Sequence, residues 1–133
     1  MATSVVGDFS AAPGRVKNVL LWLLQAASAA VFAMAGIAKL TGAESMVHLF
    51  AAVGLGQWLR YFTGGLEVAG AMALLVPAIA GLGAIWLAAV MVGAVIAHLV
   101  VLGSSPAVPV ALLVAMAIVA WGRWERTARL FSR

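Results

Sequence analysis

Three side chains in this sequence could exchange protons or hold a polar ligand within an otherwise apolar chain: Lys39, Glu67 and His98. An ammonium, a carboxylate and an imidazole form an acid/base set, and they can equally lock helices together by charge pairing. Their surroundings make them unusual. Residues 68–122 contain no Asp, Glu, Lys or Arg, and His98 is the one ionisable side chain in that interval. A lone carboxylate in such a setting takes up a proton, whereas an ammonium within about 4–6 Å holds it charged, so Lys39 is the expected partner of Glu67. There is no cysteine, which excludes thiolate metal sites and a CxxC redox relay. His48, His98 and Glu67 lack HxxxH or HExxH spacing, so no metal site is assigned.

The elements that must position these groups follow from composition. Of 133 residues, 65% are hydrophobic and 9% charged, far from a soluble domain and typical of a chain built for lipid. The formal net charge is +4. Its distribution is more telling: Arg15 and Lys17 precede the first apolar run, and Arg123, Arg126, Arg129 and Arg133 follow the last. With Trp121 and Trp124 beside them they read as interfacial anchors rather than a nucleic-acid surface. An even number of spans puts both basic ends on one side, which the positive-inside rule makes cytoplasmic.

The late basic residues and the long run after them do not fit a secretory signal, so residues 1–18 are expected to be a short cytoplasmic tail. A first span is expected at about residues 19–40, between Trp22 and Lys39. Thr41 and Glu44 then match a capping box that opens an amphipathic segment at 42–54, with Met46, Leu49, Phe50 and Val53 on its apolar face. Further spans are expected at 61–80, 82–102 and 107–122, with PAIAGLG (77–83) and GSSPAVP (103–109) as turns. A basic cytoplasmic tail, 123–133, completes the chain. The expected fold is an all-α integral membrane protein, an antiparallel four-transmembrane-helix bundle with 19–122 as its membrane domain.

In that topology Lys39, Glu67 and His98 all fall within about 10 Å of the outer interface. Helical spacing aligns them with stripes: Gln25, Ser28, Phe32, Ala35 and Lys39 on the first span, Gly64, Glu67, Gly70, Ala71 and Leu74 on the second, and Leu87, Met91, Ala94 and His98 on the third. The stripes are expected to face inward, because a charge facing lipid is costly. Phe32, Gly70, Trp86 and Met91 are the candidates to line a pocket beside the polar cluster.

The ordered set GIAKLTG, VGLGQW, TGGLEVAGAMALLVP and AVMVGAVIAHL, spanning roughly residues 32–102, resembles the DoxX-like family of small four-helix bacterial membrane proteins. The resemblance rests on Lys39, Gly42, Glu67, Gly70 and His98 in that order, and the sequence departs from the family pattern at Gly56, where a proline is more usual. The family takes its name from a subunit associated with quinone-linked oxidation of sulfur compounds. Related members are described as membrane oxidoreductase subunits, and others resemble assembly factors. The resemblance implies a component of a quinone-linked oxidoreductase in the bacterial inner membrane, with a quinone as the lipophilic molecule and other membrane subunits, or a second copy, as partners. The residues alone leave open an assembly or interaction subunit, and a small acid/base enzyme acting on a lipophilic substrate.

Overall fold

The computed structural model describes residues 2–132, with side chains from Gly14 onward. Met1 and Arg133, the outer ends of the two expected tails, lie outside the described residues. Every described element is helical: α1 (Ala2–Thr41), α2 (Glu44–Val53), α3 (Trp58–Leu74), α4 (Ala80–Ile96), α5 (Ala107–Gly122) and α6 (Trp124–Phe131). A π-helical segment, Ala97–Leu102, prolongs α4. α1 packs along α3, α3 on α4 and α4 on α5, and α5 returns to α1 by a much thinner contact. Phe32, Leu74, Leu87 and Met116 are wholly buried where these helices meet. The outside is apolar too, with Leu23, Met34, Met72, Val100 and Trp121 exposed. An apolar exterior around an apolar core is what lipid contact requires. Gly14–Thr41 and Ala80–Leu102 are each long and apolar enough to cross a membrane, and α5 with α6, bent by 64°, is a third candidate.

Several boundaries differ from the sequence expectations. The expected N-terminal tail is helical from Ala2, continuous with α1. Adding a turn to an existing helix costs little compared with nucleating one. At the other end the expected tail contains α6. The helix expected at 61–80 runs Trp58–Leu74, because the Pro77 ring would clash with the carbonyl of Ala73 in a continuing helix. The chain instead tightens, with Leu75 and Val76 N–H groups bonding the carbonyls of Met72 and Ala73 at 3.1 Å. The turn therefore occupies 75–79. Gly81 and Gly83, expected as breakers, lie inside α4, where they admit close neighbours: a Cβ on Gly83 would sit 2.8 Å from that of Ala73, and one on Gly81 would collide with Thr127.

The expected capping box is also absent. Thr41 donates its hydroxyl back to the Ile37 carbonyl at 2.8 Å, within α1, and the residue before α2 is Ala43, with no side-chain cap. The reason is Gly42. Its φ of 74° ends α1 in a left-handed turn, with Ala43 N–H bonding the Ala38 carbonyl at 2.9 Å and Gly42 N–H the Lys39 carbonyl at 3.4 Å.

Candidate functional site

Lys39 sits in the last turn of α1 and Glu67 midway along α3, and the two side chains meet: Nζ lies 3.1 Å from Oε2. Close helix approach makes this possible. A Cβ on Gly36 would stand 2.8 Å from the Gly64 carbonyl oxygen, and one on Gly64 would stand 2.9 Å from Lys39 Cβ. The two glycines bring the backbones so near that a lysine stem from one helix reaches a carboxylate on the next. Glu67 is 2% exposed, and Lys39 donates a hydrogen bond to it.

A second cation lies close by, in the first turn of α3. Arg60, 5% exposed, donates through Nη1 to the Lys39 carbonyl and through Nε to Gln57 Oε1 at 2.7 Å, with its guanidinium 4.2 Å from the Tyr61 ring centre. A guanidinium on the Lys39 carbonyl, in the last turn of α1, bonds an acceptor that the helix itself leaves open and complements the negative end of its dipole. It also fixes the backbone from which Lys39 projects. Arg60 is not among the polar groups expected at this site from the sequence. The signal was present, since Arg60, Gly64 and Glu67 are spaced as one helical stripe.

Above the pair is a cavity of about 530 Å³, walled by Phe32 and Lys39 of α1, Phe50 of α2, Glu67 of α3, Met91 of α4 and His98 of the π-helical segment. The apolar face expected of the amphipathic segment, Met46, Leu49, Phe50 and Val53, forms one side of it. α2 thus covers a cavity with the residues that an interfacial helix would press into lipid.

Of the seven predicted site residues, five border this cavity: Lys39, Glu67, His98, Phe32 and Met91. His98 does not join the ion pair. Its Nδ1 is 2.7 Å from Ser104 Oγ, and its carbonyl accepts the Ser104 N–H at 3.1 Å, so the turn after the π-helical segment holds the ring at the wall. The other two residues lie elsewhere. A Cβ on Gly70 would meet Leu87 at 2.5 Å, so that glycine serves the contact of α3 with α4. Trp86 is 49% exposed and donates its indole N–H to the Leu66 carbonyl at 3.1 Å, on the outer surface. Helical spacing put both near the stripe but could not say which neighbour each would face. Among the described residues no three His, Asp or Glu side chains gather as a metal site. His48 instead faces Glu44 at 3.6 Å on the exposed side of α2.

A helical chain with an apolar exterior, a buried lysine–glutamate pair between two glycine-packed helices and a cavity above it defines a small helical membrane protein with an internal polar site. The chain belongs to the DoxX-like family, whose sequence model matches residues 23–121, a stretch that includes Lys39, Glu67 and His98. No curated protein and no solved structure matches it.

Proposed function

We propose that this protein is the lipophile-binding component of a quinone-linked membrane oxidoreductase, and that Lys39, Glu67 and His98 serve the bound quinone. The observation that carries the reading is a single cavity, about 530 Å³, that combines these three groups with Phe32, Phe50 and Met91. Its size lies within the range of small-molecule sites, roughly 300–1,000 Å³. A quinone is a flat apolar ring with two carbonyl acceptors, which suits an aromatic and methionine wall with one ammonium donor. Reduction takes up two electrons and two protons. Glu67 and His98 would exchange the protons. The electrons would come from a partner subunit carrying a redox group, since this chain has no cysteine and no metal-binding cluster among its described residues.

The same reading takes α1, α3, α4 and α5 as four antiparallel spans in the bacterial inner membrane. Bonds that join Asn18 to Arg123, and Gln25 to the Leu74 carbonyl, at the end remote from Lys39 support that arrangement. Both basic ends then face the cytoplasm and the cavity opens toward the outer leaflet.

A second reading has its own observation. The ion pair spans the close contact of α1 with α3, beside Gly36 and Gly64, which is where a purely architectural clamp of an assembly subunit would sit. One experiment separates the two. Protein purified gently from its native membrane is extracted and assayed for retained quinone by mass spectrometry, alongside a Lys39→Met/Glu67→Leu double variant. Retained quinone in the wild type that is lost from a folded double variant supports the site. A wild type without quinone, indifferent to added quinone analogues, overturns it in favour of the clamp.

A further inference from the structure

Among the packed pairs of the long helices α1, α3, α4 and α5, the thinnest seam lies between α1 and α5, and it holds an open groove of about 1090 Å³. The helices touch where Gly122 meets Leu21: a Cβ there would fall 2.6 Å from a Leu21 methyl. Alongside, Leu20 and Leu24 of α1 and Ile118 of α5 form an apolar trough, with Lys17 and Trp121 at one end. We propose that this groove seats one anionic phospholipid, its acyl chain against Leu20, Leu24 and Ile118 and its phosphate at Lys17.

Three observations lead to that occupant rather than another. Lys17 and Lys39 are separated by about 33 Å of helix, close to the roughly 30 Å hydrocarbon thickness of a bilayer. With Lys39 at one headgroup boundary, Lys17 stands at the other, so the groove starts among headgroups and runs about 10 Å toward the membrane centre. That is the path of a lipid, polar at one end and apolar along its length. Trp121, 85% exposed beside Lys17, is the side chain that membranes favour at this depth.

Charge selects the headgroup. Among the described residues Lys17 is the one charged residue in the groove wall, and no carboxylate lines it. In the sequence Arg123, Arg126 and Arg129 surround Glu125, and Arg15 and Lys17 follow Asp8, so basic residues outnumber acidic ones at this end and the local field favours an anion. A second copy packed symmetrically into the groove would instead set Lys17 against Lys17. An open trough within the hydrocarbon also forfeits dispersion contacts along both walls unless a chain fills it.

The test titrates the purified full chain with phosphatidylglycerol and phosphatidylcholine and counts bound lipids by native mass spectrometry. The wild type is expected to retain phosphatidylglycerol about fivefold better than phosphatidylcholine, the effect of one basic residue at the membrane surface. Lys17→Gln should abolish the preference and Lys17→Arg should restore it. Ile118→Trp, which fills the trough, should lower retention of both lipids while helicity stays unchanged. Equal retention of the two lipids by the wild type, or a preference that survives Lys17→Gln, overturns the proposal. So does a disulfide-linked dimer of Ile118→Cys formed in membranes, a clean probe because the chain has no cysteine of its own. None of these readouts involves quinone, so this inference and the proposed function fail separately.

Discussion

Lys39 and Glu67 illustrate how a charge can reside in an apolar chain without facing lipid. Removing one member of a buried pair leaves the other uncompensated and costs about 3–5 kcal/mol, whereas replacing both with apolar residues of similar size is often neutral or stabilising. Lys39→Met should therefore destabilise the folded protein by that amount in a detergent unfolding titration, and Lys39→Met/Glu67→Leu should recover most of the loss. A double variant no more stable than the single would mean that the pair is not coupled as its 3.1 Å contact requires. Arg60 belongs to the same unit at this scale. It touches the Lys39 carbonyl rather than the ion pair, and so acts on the pair through the backbone. The order of the expected spans set Lys39, Glu67 and His98 at one depth, and helical periodicity set each on a stripe. Which two would touch depended on side-chain reach and on local turn chemistry, and Ser104, six residues beyond His98, settled the imidazole's partner.

At the scale of elements, glycine placement governs which helices approach. Gly64 faces Gly36 and Lys39, with neighbours at 2.9–3.0 Å of an added Cβ, whereas adjacent Gly65 has nothing within 4 Å. Gly64→Leu should separate α1 from α3 and destabilise the protein by about 1–3 kcal/mol, the usual cost of overpacking. Gly65→Leu should stay within about 0.5 kcal/mol of wild type, as surface changes do. Thermal unfolding of the two variants in one detergent checks the contrast, and equal effects would refute it. The apolar stripe of α2 was legible in the sequence, since its spacing is helical. Its destination was not, because an amphipathic face suits a membrane surface and a cavity wall equally well. The positions of Gly81 and Gly83 show the same limit: glycine suits a turn and a close helix contact alike, and only the neighbouring helix distinguishes them.

Over the whole molecule, polar chemistry is divided between two ends. One end holds the Lys39–Glu67 pair, Arg60 and His98. At the other, Gln25, fully buried, donates to the Leu74 carbonyl at 2.8 Å and accepts from Arg123 Nε at 2.7 Å, while Arg123 Nη1 reaches Asn18 Oδ1 at 2.9 Å. Burial first, and Arg126 second, hold the Arg123 guanidinium below its ordinary pKa. The network ties α1, α3 and the α5–α6 bend into one closure. Arg123→Leu leaves Gln25 and Asn18 without this donor, a loss of about 1–3 kcal/mol. Amide exchange should then rise in α6 and in the adjoining ends of α1 and α5 while the Lys39 end stays protected. Uniform exchange along the chain would show that the two ends are not separate units. Between the ends lie the wholly buried apolar side chains of Phe32 and Met116.

By itself the sequence determined that this is a helical membrane chain, which residues carry charge inside it, and on which helical faces they lie. Composition and 3.6-residue periodicity are local properties, and lipid leaves few alternatives to a helix. Only the tertiary structure decided that Lys39 meets Glu67 without His98, that Arg60 is buried against the Lys39 carbonyl, that Gly70 and Trp86 turn away from the cavity, and that α2 closes its side. Those outcomes depend on how near one backbone comes to another. That distance is set jointly by glycines and side chains far apart in the chain, so no single segment contains it.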